Sequence, residues 1–176
     1  PAPPPALHDE LARARLLELI GRRFSVPLTT VVAGAGFGKS TLLAQAIRAN
    51  RADPCGIDAW VSCEPGDVDA EHLTHAVVAA LGRHSDRRDP VQRVLDVLGQ
   101  VAPLDVCIVF DDAHEVAEDS SGATLLAELV RALPPHAHLV LAGRRQAPAP
   151  LARLRAAGRV ADVGGADLTF TDSEVA

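Results

Sequence analysis

A glycine-rich turn between two patterns of different period constrains this chain more than any other feature. Ala33-Gly34-Ala35-Gly36-Phe37-Gly38-Lys39-Ser40-Thr41 follows an apolar run, Leu28 to Val32, and opens a helical repeat of Leu42, Leu43, Ala46 and Ile47. A strand turning into a helix through glycines points its backbone N–H groups inward, and the helix start adds positive potential. Lys39 supplies a point charge and Ser40 a hydroxyl able to ligate Mg²⁺. Gly34, Ala35, Gly36, Phe37, Gly38, Lys39, Ser40 and Thr41 are thus the expected cradle of a nucleoside triphosphate, with ATP or ADP and Mg²⁺ as ligands. The one departure from G-x-x-x-x-G-K-[ST] is Ala33 at the first position, where a methyl group fits if φ stays negative.

The rest of the chain alternates strand and helix patterns. Apolar residues between Asp9 and Arg23 predict a short amphipathic helix, Ile57 to Cys63 a second strand, and Asp69 the cap of a helix carrying Leu73, Val77 and Leu81. Asp89 with Pro90 starts another helix, and Ser120 and Ser121 precede one that Pro134-Pro135 stops. Val106 to Phe110 and Leu139 to Ala142 are apolar without alternation, as in parallel strands buried on both faces, and Arg159 to Val163 is a last edge strand. This succession predicts an α/β fold, the three-layer α/β/α sandwich of a P-loop NTPase with a mainly parallel central sheet and its ligand at the carboxyl ends of the strands.

Those ends carry the remaining chemistry. Val106 to Phe110 runs into Asp111-Asp112, and Leu139 to Ala142 exits into Gly143-Arg144-Arg145. Both aspartates can face the phosphates only if the strand breaks near Asp111. The order usual in such loops assigns Asp111 with Ser40 to the metal and Asp112 to the attacking water. Arg144 reaches a γ-phosphate if its strand lies beside the one that feeds the loop. His114, nearby, reads as a residue packed beneath the strand end.

With 176 residues, 48% hydrophobic, the chain suffices for one domain with a real core. A net charge of −6 and 3% aromatic residues provide neither a basic stripe nor stacking platforms for nucleic acid. Three cysteines without metal-ligand spacing fit a reduced, cytoplasmic setting, with Cys107 as a small buried hydrophobe. No apolar stretch has the length of a membrane span.

Several segments together resemble the nucleotide-binding (NB-ARC/AAA-like) domain of the signal-transduction ATPases with numerous domains, the STAND class, in particular LuxR-type, maltose-regulon-activator-like regulators. They are Leu11 to Leu17, Ala33 to Gln45, Ala59 to Ser62 followed by Asp67 and Asp69, Val109 to His114, Leu139 to Arg144, Leu151 to Arg155 and Ala166 to Thr171. Gly143 departs from the hydroxyl residue that the family usually has before its sensor arginine. The resemblance implies that Arg13, in the entry motif, belongs to the nucleotide site. It also implies a switch that hydrolyses ATP slowly, self-associates in its ATP state, and contacts DNA only through a helix-turn-helix absent from this chain.

The expected division is an entry segment and helix over 1–24, the ATPase domain over 25–170, and at 171–176 the start of a following helical or winged-helix segment, marked by the capping-box pattern Thr171 to Glu174. Two rivals remain at this point. One is a P-loop small-molecule kinase with Arg22-Arg23 or Arg87-Arg88 as lid arginines; the other is a nucleotide-binding scaffold without turnover.

Overall fold

The structure, a computed structural model, describes residues 2–6, 10–64, 69–171 and 174. Asp9, Asp67 and the Asp172-Ser173 pair, all used above, lie outside them. Five strands, β1 (Leu28–Val32), β2 (Ile57–Ser62), β3 (Val106–Asp111), β4 (Ala137–Gly143) and β5 (Val160–Gly164), form one sheet in the order β2-β3-β4-β1-β5. Every pairing is parallel, so the mainly parallel sheet expected is wholly so.

Period-2 alternation divides the core between the two faces. Val106, Ile108 and Phe110 of β3 with Leu139 and Leu141 of β4 face α3 (Ala70–Leu81), α4 (Pro90–Val101) and α5 (Ser121–Ala132). Cys107, Val109, Val140 and Ala142 join Trp60 on the other face, against α1 (Ala14–Gly21) and α2 (Lys39–Ala52). Three of the helices start where their caps predict: Asp69 accepts from the Glu71 N–H, Asp89 from Gln92 and Ser120 from Ala123.

Boundaries moved where packing overrode local pattern. The expected helix from Asp9 to Arg23 is regular only over Ala14–Gly21 and tightens into a 3₁₀ turn at Arg22–Phe24, because Arg23 turns inward. α2 runs through Asn50, Arg51 and Ala52, and Cys63 falls just beyond β2. β4 extends one or two residues at each end, and β5 sits one residue later than expected. Two short helices, α6 (Ala152–Ala156) and α7 (Gly165–Leu168), lie in segments matched by resemblance alone.

The inward turn of Arg23 has a partner. Its Nε and Nη2 donate to the two carboxylate oxygens of Asp58 at 2.9 and 2.7 Å, and Asn50 bridges the same carboxylate to the Gly56 carbonyl. With side chains 3% and 4% exposed, this pair and Asn50 tie the 3₁₀ turn after α1 to β2 and α2. Removing one member leaves the other charge stranded, so Arg23→Ala should lose about 3–5 kcal/mol in urea unfolding. A loss below about 1 kcal/mol would show that water reaches Asp58.

Candidate functional site

β1 hands the chain to the loop at Ala33, whose N–H donates to the Gly143 carbonyl at 3.2 Å. Gly36 and Gly38 take φ of 79° and 73°, values that only glycine adopts without strain, and Gly38 leads directly into α2. Among the described residues the only non-glycine with positive φ is Asp112, so Ala33 meets the condition set for its methyl group. Lys39 folds into the loop: its Nζ donates to the Ala33 and Gly34 carbonyls, both at 2.8 Å. Burial lowers its pKa, Asp112 and Asp111 oppose that shift, and Arg144 adds to it.

The aspartates stand at the end of β3, two strands from the loop. β3 stops at Asp111, and Asp112 adopts the left-handed region at φ 52°, ψ 34°. That is the break the two carboxylates required. Asp111 is buried, and its Oδ1 has no hydrogen-bond partner among the described residues. Burial pushes its carboxyl up and Asp112 reinforces that, while a hydrogen bond from Ser40 and the Lys39 charge pull it back. A buried, underbonded carboxylate oxygen beside a hydroxyl is a pair of hard oxygen donors, so Ser40 and Asp111 fit Mg²⁺. Asp112 is the more accessible of the two, with its side chain 46% exposed.

Downstream of Asp112, a 3₁₀ turn over Ala113–Glu115 buries His114 under the strand end. Its Nε2 lies 3.2 Å from Glu115 Oε1 and its Nδ1 3.7 Å from Asp112 Oδ1. A Cβ on Gly143 would come within 2.9 Å of the Arg145 carbonyl oxygen and 3.0 Å of His114 Nδ1. The space for a side chain at position 143 is therefore already taken, which accounts for glycine there. β4 lies directly beside β1, with Gly143 paired to Val32, so Arg144 emerges next to the loop as its expected role demands.

On the α2 side of the loop a cavity of about 570 Å³ is lined by Gly36, Phe37, Gly38, Thr41 and Leu42 together with Arg13, Gln45, Leu168 and Phe170. Arg13 lines this cavity with two of its nitrogens engaged: Nη1 donates to Leu168 O and Nη2 to Thr169 O, both at 2.7 Å. The wall formed by Gln45, Leu168 and Phe170 was not assigned from sequence. Its signals in the sequence are the resemblances of Ala33 to Gln45 and of Ala166 to Thr171, neither of which assigns these residues a role. Of the lid arginines of the kinase reading, Arg23 is locked on Asp58, and Arg87 and Arg88 line a separate surface cavity with His84 and Arg93.

The family model for the AAA domain matches residues 22–149. The chain belongs to the AAA domain family. Over 97% of its length it is 27% identical to the HTH-type transcriptional regulator MalT of Serratia proteamaculans (strain 568), of which it spans 20%. Among solved structures, Cdc6p from Pyrobaculum aerophilum superposes with a TM-score of 0.62 at 16% identity, covering 92% of this chain and 47% of that one. The Drosophila ORC bound to AT-rich DNA and Cdc6 does so at 0.58 and 11%, covering 93% and 59%. These likenesses show the P-loop α/β fold, and the AAA assignment supports nucleotide binding at the loop.

Holding Asp111 ionised in a buried place costs the empty protein stability at neutral pH. Asp111→Asn should leave the unliganded unfolding midpoint at pH 7.5 unchanged or raised while removing the stabilisation given by Mg-ADP. Because acid neutralises the wild-type carboxyl, the gap between the two midpoints should narrow as pH falls toward its raised pKa. Thermal scans at several pH values check this, and a lowered midpoint in the unliganded variant would contradict it.

Proposed function

We propose that this chain is the ATP-binding, slowly ATP-hydrolysing switch domain of a STAND-class, LuxR-type bacterial transcriptional regulator. One observation carries the reading: Lys39, Asp111, Asp112 and Arg144, far apart in sequence, converge at one end of the sheet. The likeness to MalT supports the regulator setting. Because the chain spans about a fifth of that relative, DNA contact and inducer sensing fall to other segments.

In this reading the amides between Gly34 and Thr41 wrap the phosphates, and Lys39 exchanges its two loop carbonyls for phosphate oxygens. Ser40 and Asp111 hold Mg²⁺, which when bound neutralises phosphate charge. Asp112 accepts a hydrogen bond from the attacking water and takes its proton, with His114 packed against its carboxylate side. Arg144 contacts the γ-phosphate, a contact that ADP cannot offer, so ATP and ADP favour different arrangements by that difference alone. Self-association belongs to the ATP arrangement, and the setting is cytoplasmic. Among the described residues no helix is long and apolar enough to cross a membrane.

Phosphate release in water, without an acceptor, separates the switch from both rivals. A kinase transfers only when an acceptor is supplied, and a scaffold binds without release. Asp112→Asn should keep Mg-ATP affinity within about threefold and slow release by roughly 10²–10³-fold, the range of a lost general base. Release at the wild-type rate would remove Asp112 from the mechanism.

A further inference from the structure

The sheet forks at the edge that carries the site. The register of β3 on β4 runs from Val106 opposite Ala137 to Phe110 opposite Leu141 and stops there. Beyond it Asp111 stays with Ser62 of β2, whereas Ala142 and Gly143 stay with Val31 and Val32 of β1. The two acids therefore leave on one side of the fork, and Arg144 leaves with the loop on the other. Among the described residues no ladder pairing fixes the spacing between them.

Asp111 is tied back across the fork by a hydrogen bond from Ser40. Asp112 has a different tie. Its carbonyl accepts from the Glu115 N–H at 2.8 Å, which closes the 3₁₀ turn and brings the His114 ring beside its carboxylate, with Nδ1 3.7 Å from Oδ1. The same ring meets the other side of the fork: a Cβ on Gly143 would lie 3.0 Å from Nδ1 and 3.1 Å from the His114 Cβ. Arg145 Nη2 donates to the His114 carbonyl at 3.1 Å. The residues on either side of Arg144 thus both bear on His114. The side chain is 7% exposed, with Nε2 3.2 Å from Glu115 Oε1, and Nδ1 is buried without a hydrogen-bond partner among the described residues. An aliphatic side chain would fill this slot without burying an underbonded nitrogen, so packing alone does not account for a histidine here.

We propose that His114 is a positioning residue: wedged into the fork, it sets Asp112 against Arg144, so that the attacking water and the γ-phosphate are held in line with each other. The inference rests on the hydrolytic reading above and deepens it. His114 touches neither nucleotide nor metal and acts through Asp112. Its loss slows the chemical step and spares binding, because the loop amides, Lys39 and the pair formed by Ser40 and Asp111 stay in place. Glycine at position 143 is the counterpart of this wedge, since a side chain there drives the ring out of the fork.

Steady-state phosphate release from Mg-ATP, set beside calorimetric Mg-ADP affinity, tests the role. His114→Ala should lower kcat by roughly 10- to 100-fold, the scale of a reacting group misplaced by about 1 Å, with KM and Mg-ADP affinity kept within about threefold. In an Asp112→Asn background the same change should cost less than about twofold, because the group it positions is already disabled. His114→Asn, whose amide reaches the place of Nδ1, should recover part of the rate. Gly143→Ala displaces the ring without altering His114 itself; it should show the same split and covers the case in which His114→Ala fails to fold. Mg-ADP affinity falling as far as the rate, losses that multiply in the double variant, or wild-type release in both His114→Ala and Gly143→Ala overturns the inference while the nucleotide reading stands. If the wild type binds Mg-ADP but releases no phosphate in water, the hydrolytic reading falls and takes the inference with it.

Discussion

The constraint on which the rest depends is the complete burial of β3 and β4. Val106 to Phe110 and Leu139 to Ala142 are covered on both faces and carry no carboxylate, lysine or arginine, so charged groups collect where they emerge. Parallel pairing then brings both emergence points to the same edge as the loop after β1. The site follows from that edge: an acid pair from β3, an arginine from β4 and a lysine folded into the loop.

This arrangement leaves the unliganded site electrostatically tense. Lys39 is driven toward its neutral form and Asp111 toward its protonated form, both chiefly by burial, and each partly relieves the other. A polyphosphate with its metal supplies the opposite charge that both lack. Part of the ligand's affinity is therefore stored in the empty protein as unfavourable desolvation, and the buried Asp111 oxygen without a partner is its clearest mark.

Much of this was legible in the residues because the signals were local. Glycines before Lys39, an apolar run closing on two acids and helix caps at Asp69, Asp89 and Ser120 each act within a few positions. The adjacency of β4 to β1 was expressed only as a condition on Arg144, because strand order is a long-range property. The cavity wall was hidden for the same reason. Leu168 and Phe170 line the same cavity as the loop and Leu168 is held by Arg13, and no periodicity links residues so far apart. His114 read as a packed residue and is buried, but its closeness to Asp112 depends on the left-handed turn that no side-chain pattern announces.

The central claim is that the loop amides and Lys39 form a polyphosphate site. Isothermal titration of Mg-ADP into the wild type and into Lys39→Ala, each verified as folded, tests it most directly. The account predicts saturable one-to-one uptake by the wild type and a loss of at least about 100-fold in the variant, roughly 2.7 kcal/mol. Equal uptake by both proteins, or none by the wild type, would contradict it.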